Sequence, residues 1–154
     1  MTEHEKIQQM VQQKDQAPLT LEPAKSALLI IDTQRYFARP DYPFGKVFEK
    51  LAPGAAEGYY KRVKATVLPN IRRLQACFRS HRLPVIFCGA GCYLPAAREL
   101  ADRGFRVLVA EDACTELSEE MHRSALFTFS YVFGRVKTTT DTIGFLDRTS
   151  AAAR

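Results

Sequence analysis

The chain has 154 residues, of which 46% are hydrophobic and 25% charged, so its length and composition fit one globular domain with its own core. Its net charge of +5 comes from scattered basic residues, so we expect a solvated surface and no nucleic-acid partner. No apolar run reaches the length of a membrane span and the first residues are polar, so we expect a cytoplasmic protein with no membrane partner.

The first segment, residues 1–23, is predicted to be an N-terminal arm. It is rich in Gln, Lys and Glu, and its strongly apolar residues lie at helical spacing: Ile7, Met10 and Val11. Such a segment is either a frayed arm or a short helix docked on the body or on a neighbouring subunit. We expect the folded domain to span residues 24–148, with a polar tail at 149–154.

Alternating apolar runs and helical patterns predict βαβ units and a mainly parallel sheet. The predicted strands are Ala27–Ile31, Pro84–Cys88, Val107–Ala110 and Arg135–Thr139. The first run is apolar throughout, which is typical of a strand buried on both faces. The fold class is therefore α/β, a three-layer αβα domain with a parallel sheet of about four strands.

Three longer helices are predicted, because apolar residues recur at spacings of three and four. The first spans about residues 59–81, should be kinked at Pro69, and buries Val63, Val67, Ile71, Leu74 and Phe78. The second spans 93–103 and stops at Gly104. The third follows a Ser118 cap and should bury Met121, Ala125, Phe129, Val132 and Phe133. Residues 35–58 are predicted to form a long loop with one helical turn at 47–51.

Two residues at the predicted carboxyl edge of the sheet carry the candidate chemistry. Asp32 ends the first strand, where a carboxylate is either functional or braces a loop by binding backbone amides near Gln34. Cys92 opens a helix, whose amino-terminal dipole would lower the pKa of its thiol, or else it is a buried apolar cysteine. Gly89 and Gly91 precede Cys92, and nearby N–H groups could form an oxyanion hole.

The other candidate side chains have weaker cases. Cys77 is predicted to be a core residue, and Cys114 is expected to pack beneath a loop. Cys88 is predicted to be a small core residue, although its nearness to Cys92 leaves a resolving role open. His122 is predicted to be exposed, so a Cys–His mechanism lacks support. The cysteines form no CxxC pair, and we expect no metal site and no cofactor.

At these residues the chain resembles the isochorismatase-like cysteine hydrolases, which include nicotinamidases and N-carbamoyl amidohydrolases. The resemblance covers most of residues 24–146. The matching segments are Ala27–Gln34, Leu68–Leu74, Leu83–Phe87, Cys92 with Ala97 and Arg98, Arg103–Val107, and Glu111–Cys114 with Ser118 and His122. Each motif is loose alone, but their order and spacing together are fairly specific. The resemblance implies a trimmed version of the family's Rossmann-like fold.

The resemblance also implies a catalytic triad of Asp, Lys and Cys, in which Asp32 and Cys92 match the first and last members. In that family the Asp takes the thiol proton, the Cys attacks a carbonyl carbon, and water hydrolyses a thioester-type intermediate. The presence of Cys92 favours C–N bond cleavage in a small amide or ureido substrate over cleavage of isochorismate. We expect the substrate to contact Gln34, Phe37, Gly89 and Gly91.

The chain departs from the family before Cys92, where members carry the Lys and at least one further strand. Only four residues separate Phe87 from Cys92, so one βαβ unit of roughly 30 residues is absent. No lysine lies between Lys64 and Lys137, and the remaining candidates are in the long loop: Lys46 and Lys50. The alternative function is therefore a catalytically impaired relative that acts as an oligomer-forming or ligand-binding subunit.

The shortened middle leaves two positions for the strand at 84–88. It either takes the place of the family's second strand, leaving a gap beside the first strand, or fills the slot of the missing strand. We predict the second arrangement, because it keeps the sheet continuous and places Cys92 beside Asp32. We also expect a homo-oligomer, since subunit contacts or strand exchange could cover an exposed edge.

Overall fold

A computed structural model describes residues 1–19, 22–89 and 93–152 of the protein, in which helices alternate with short strands. The helices are α1 (Glu3–Gln16), α2 (Arg35–Ala38), α3 (Pro43–Leu51), α4 (Glu57–Arg62), α5 (Leu68–Ser80), α6 (Tyr93–Asp102), α7 (Glu119–Val132) and α8 (Thr139–Ala152). The strands are β1 (Leu28–Ile31), β2 (Val85–Cys88), β3 (Val107–Ala110) and β4 (Gly134–Lys137). Within these ranges, no helix is long and apolar enough to cross a membrane.

The strands form two separate parallel pairs, so the predicted continuous four-stranded sheet is wrong. β1 pairs with β2, with Leu28 opposite Val85 and Ile31 opposite Cys88, and β3 pairs with β4. Among the described residues, no backbone hydrogen bond joins one pair to the other. β2 does lie beside β1, as predicted, but in the described part of the chain no further strand bridges the two pairs.

Helix α5 covers one face of the β1–β2 pair, and the opposite face is open. Ile30 packs against Val67 and Ile71 on the covered side. Successive strand residues point to opposite faces, and Leu29 and Ile86, on the other side, are 37% and 48% exposed. In the described part of the chain this pair therefore has two layers, and the predicted three-layer αβα arrangement does not form around it.

The predicted helix at 59–81 forms, and a π-helical turn at Val63–Val67 accommodates its proline. The predicted buried face is confirmed, because all of its members are buried: Val63, Val67, Ile71, Leu74 and Phe78. The N–H of Leu68 bonds to the Val63 carbonyl, five residues back, and Pro69 then lies in the first turn of α5. Pro69 lacks an N–H, and the wider π-helical turn before it accommodates the missing hydrogen bond.

The predicted loop at 35–58 is mostly helical, because α2, α3 and the start of α4 occupy it. Pro43 lies in the first turn of α3, where its fixed φ favours a helix start. Gly45 is buried against the Pro40 backbone, which leaves no room for a Cβ. Two of the residues that predicted a loop therefore have other roles. Pro43 starts a helix, and Gly45 allows a close backbone contact.

The buried face of α7 differs from the predicted one by a shift in register. The Ser118 cap is confirmed, since its side chain accepts the Met121 N–H at 3.1 Å. However, Met121 and Val132 are more than half exposed, and the buried residues of α7 are His122, Leu126, Phe129 and Ser130. The prediction of an exposed His122 is therefore wrong, because this polar residue lies on the inward side of the helix.

The first segment is a helix that docks on the body rather than a frayed arm. Thr2 and Glu5 form a capping box at the start of α1. Near its end, the Asp15 carboxylate accepts the Ser130 hydroxyl at 2.6 Å and the Val136 N–H at 3.0 Å. Since Val136 lies on β4, Asp15 satisfies a donor at the edge of that strand. The division into arm, domain and tail stays a prediction.

Candidate active site at the carboxyl ends of β1 and β2

Asp32 directly follows β1 and has a left-handed backbone conformation. Its φ is +56°, a region that costs a non-glycine residue free energy but that Asp tolerates better than most. Its N–H donates to the Cys88 carbonyl oxygen at 2.9 Å, and its own carbonyl accepts the Gln34 N–H at 2.8 Å. These bonds hold the half-buried Asp32 at the common carboxyl end of β1 and β2, where ligands of parallel strands bind.

Gln34 links Asp32 to the end of β2. Its Nε2 donates to Asp32 Oδ1 at 3.2 Å and also to the Gly89 carbonyl oxygen. Three residues of the predicted site, Asp32, Gln34 and Gly89, are therefore brought together. The Gln34 N–H is bound by the backbone carbonyl of Asp32, not by its carboxylate, so the loop is braced in a different way from the one predicted.

Phe37 lies in an aromatic cluster beside this turn. Its ring packs edge-to-face on Tyr36, with centroids 4.8 Å apart, and on Phe44, with centroids 5.3 Å apart. The Phe37 N–H donates to the Gln34 carbonyl at 3.2 Å, which connects α2 to the Asp32 turn. The cluster supplies an apolar wall near the site, and contact between Phe37 and substrate stays a prediction.

Neither lysine proposed for the long loop is paired with Asp32. Lys46 and Lys50 lie on α3 with exposed side chains. Lys46 lies near Asp41, whose pKa is lowered first by a hydrogen bond from Arg39 and also by the Lys46 charge. Within the described ranges, no ion pair joins any lysine to Asp32.

The predicted nucleophile Cys92 and its neighbour Gly91 lie outside the described residues, so their roles stay predictions. Burial raises the pKa of the Cys114 thiol to about 12, and burial also raises the pKa of Cys77. Both thiols are therefore protonated at neutral pH and are poor nucleophiles. Cys77 is buried, as predicted, whereas Cys88 is exposed and is not the predicted core residue.

A pocket that the sequence did not indicate lies between α4 and the start of α7. Its volume is about 270 Å³, and its walls are Gly58, Tyr59, Arg62 and residues 115–119. Burial raises the pKa of Tyr59, and the nearby charges of Glu116 and Asp32 act in the same direction. The Tyr59 phenol therefore lies within electrostatic reach of both a pocket wall and the candidate base. The sequence signal for this pocket is the adjacent pair Tyr59 and Tyr60, which two basic residues follow, Lys61 and Arg62.

Arg62, in the wall of this pocket, and His122, near Arg62, each have a buried polar atom without a hydrogen-bond partner among the described residues. Arg62 donates to Glu119 Oε2 at 2.8 Å, but its Nε is buried without a hydrogen-bond partner in the described structure. His122 is 3% exposed, and its Nδ1 is unpartnered among the same residues. Burial lowers the pKa of His122, and the Arg62 charge lowers it further. The imidazole is therefore neutral near pH 7, and both atoms can still bind a polar group.

Asp112, which follows β3, has a structural role. Its Oδ1 accepts the Thr139 N–H at 2.7 Å, at the start of α8. Its backbone carbonyl accepts Asn70 Nδ2 of α5 at 2.9 Å. This carboxylate at a strand end therefore caps a helix and helps to tie α5 to α8.

One group of described side chains has the composition of a metal site, namely Cys77, His81 and Asp147. Cys77 and His81 lie at the end of α5, and Asp147 lies on α8. The group is separate from Asp32, because α5 leads into the amino end of β2 whereas Asp32 follows the carboxyl end of β1.

Comparison with known proteins supports the resemblance inferred from the motifs. Residues 87–141 match the family model of the isochorismatase domain, whereas no curated protein matches the chain. The matched segment runs from the end of β2 into α8 and contains Gly89, Cys92 and the Glu111–Cys114 motif. Over this segment the chain is similar to the isochorismatase domain.

Proposed function

We propose that the protein hydrolyses a C–N bond of a small amide or ureido substrate, with Cys92 as nucleophile and Asp32 as general base. The observation that carries this proposal is the hydrogen-bonded group of Asp32, Gln34 and Gly89. Cys92 follows Gly89 by three residues and belongs to the segment that matches the family. A positioned carboxylate supplies the proton acceptor that a cysteine nucleophile needs.

The proposed reaction has two steps. Asp32 accepts the Cys92 thiol proton, the thiolate attacks the carbonyl carbon, and the amine leaves with the proton that Asp32 returns. Asp32 then takes a proton from water, hydroxide attacks the thioester, and the proton goes back to the Cys92 sulfur. Gln34 acts as a positioning residue, because its amide holds Asp32 Oδ1. The atoms balance without a cofactor.

The pocket lined by Tyr59 and Arg62 suits a small polar substrate. Its volume of about 270 Å³ suits a molecule of a few heavy atoms rather than a polymer. Tyr59, whose pKa is raised, keeps its phenolic proton and can donate a hydrogen bond. The buried Nε of Arg62 is a second unpartnered donor. Two residues with donor groups in the wall of a small cavity suit a carbonyl or carboxylate oxygen of an amide or ureido compound.

A substrate panel with paired variants tests the proposal. Ammonia release from small primary amides and N-carbamoyl compounds would be measured for the full chain, Cys92→Ser and Asp32→Asn. We expect each variant to lose at least about 100-fold in kcat/KM. The matched controls are Cys114→Ser, a thiol with a raised pKa, and Asp41→Asn, an exposed carboxylate paired with Arg39. Equal activity in Cys92→Ser and Cys114→Ser would overturn the assignment of the nucleophile.

The second candidate function is a catalytically impaired relative that binds a ligand or forms an oligomer. It is favoured by one observation, that Lys46 lies near Asp41 rather than at the candidate base. It predicts no turnover of any amide on the panel, together with unchanged ligand affinity in Cys92→Ala. Measurable ammonia release by the unmodified chain excludes it. Cytoplasmic location and a homo-oligomeric state stay predictions under both functions.

A further inference from the structure

We propose that Cys77, His81 and Asp147 bind a zinc ion that links the end of α5 to α8. Cys77 packs in an apolar cluster against Leu28 at the amino end of β1. The candidate active site lies beyond the opposite ends of β1 and β2. The zinc site is therefore independent of the proposed hydrolase activity, and a separate measurement tests it.

The ligand set has the chemistry and spacing that zinc takes. Cys77 and His81 are four residues apart at the end of α5, so their side chains share one face. Asp147 approaches from α8, and one ligand atom from each residue lies within 4.8 Å of the others. A tetrahedral zinc with S, N and O ligands holds these atoms about 3.3–3.7 Å apart, so small side-chain movements complete the site.

The orientation of His81 favours a cation between its ring and Asp147. His81 Nδ1 lies 2.8 Å from the Cys77 carbonyl oxygen, which can only accept, so Nδ1 carries the hydrogen. His81 Nε2 lies 3.3 Å from Asp147 Oδ1. With the hydrogen on Nδ1, His81 Nε2 and Asp147 Oδ1 are both acceptors, and a metal ion between them would bind both. A zinc-bound histidine commonly donates its other N–H to a backbone carbonyl.

The fourth ligand position is open to water. Zinc binding replaces the proton of the buried Cys77 thiol, and that proton passes to solvent. The Asp147 side chain is 60% exposed, which gives water access to the fourth position. Three protein ligands plus one water is an accepted coordination for this ion.

Metal titration of the full chain tests the site. Cobalt(II) would be added as a spectroscopic probe, followed by zinc alone, with absorption and thermal unfolding as readouts. We expect a thiolate-to-cobalt charge-transfer band that zinc abolishes, and a higher Tm with zinc. Cys77→Ser should remove the band. His81→Gln and Asp147→Asn should each weaken binding by at least about 10-fold.

Matched controls separate this site from other thiols and acids. Cys114→Ser removes a different thiol, and Asp102→Asn removes an exposed carboxylate paired with Arg98; both should leave cobalt and zinc binding unchanged. If Cys77→Ser does not fold, the two milder variants at His81 and Asp147 decide the question. The proposal is overturned if the unmodified chain gives no band, or if the band survives unchanged in His81→Gln and Asp147→Asn. A proton rather than a metal then bridges His81 and Asp147.

Discussion

A backbone hydrogen bond of 2.9 Å runs from the Asp32 N–H to the Cys88 carbonyl oxygen. It extends the β1–β2 ladder beyond the pair of Ile31 and Cys88. After it, the Asp32 backbone turns into the left-handed region, and Gly89 follows the end of β2. The pairing of these two strands therefore determines where the candidate base leaves the sheet.

Substitutions at Asp32 should separate its backbone role from its chemical role. Asn tolerates positive φ, so Asp32→Asn should change the free energy of unfolding by less than about 0.5 kcal/mol while activity is lost. A β-branched residue does not tolerate this conformation, so Asp32→Val should cost about 1–2 kcal/mol. Urea unfolding and amide hydrolysis measure the two effects. Equal stability losses in both variants would contradict the assignment of backbone strain.

Removing the Asp15 carboxylate should loosen α1 from the body. Asp15 accepts both the Ser130 hydroxyl and the Val136 N–H, and Asp15→Ala leaves these two donors without their acceptor. We expect a loss of about 1–3 kcal/mol in the free energy of unfolding and faster hydrogen exchange at the Val136 amide. Glu3→Ala, an exposed acid at the other end of α1, is the control and should leave exchange at Val136 unchanged.

Gly134 should tolerate no side chain. A Cβ at this first residue of β4 would clash with the Val107 carbonyl and with the ring of Phe129, which is fully buried. We expect Gly134→Ala to cost about 1–3 kcal/mol. Gly58→Ala is the matched control, because a Cβ there meets no atom within 4 Å. In α4 it should raise stability by a few tenths of a kcal/mol, up to about 1, as measured by chemical unfolding.

Acid should destabilise the fold through His122. Burial and Arg62 lower its folded pKa below the ordinary value of 6.5, so the unfolded chain binds the proton first as the pH falls. The contribution to stability is therefore present above about pH 6.5 and declines as the pH falls through the folded pKa. We expect His122→Gln to flatten the dependence of unfolding free energy on pH below 6.5. His4→Gln, on exposed α1, should leave the slope unaltered.

The face of α5 could be predicted because it is apolar at every inward position. Val67, Ile71, Leu74 and Phe78 recur at helical spacing, and burial of such a stripe needs no knowledge of what covers it. The position of Asp32 at the end of β1 could be predicted for a similar reason. A carboxylate directly after an apolar strand has few structural alternatives.

The face of α7 could not be predicted in the same way, because its inward side includes polar residues whose partners are distant in sequence. Ser130 is buried because Asp15 accepts its hydroxyl. His122 is buried beside Arg62 of another helix. The metal ligands pose the same problem, since Asp147 joins Cys77 and His81 only after α8 packs against α5. Long-range polar contacts overrode local periodicity in each case.

The division of the sheet into two strand pairs could not be predicted from the motifs either. The resemblance implies a missing βαβ unit, marked by the short interval between Phe87 and Cys92, but whether the remaining strands close the gap depends on three-dimensional packing. The structure leaves Leu29 and Ile86 on an open face. This outcome follows from too few strands, not from any unusual residue.

The docking of α1 has a practical consequence for anyone who would trim this protein to its family domain. A chain started at residue 24 would keep the motifs but lose Asp15, the acceptor of the Val136 N–H. The Val136 N–H at the outer edge of β4 would then lack its acceptor, and unpaired strand edges pair with strands of other molecules. Such a truncated chain should aggregate by intermolecular β-pairing, so α1 protects solubility although it contributes nothing to the candidate chemistry.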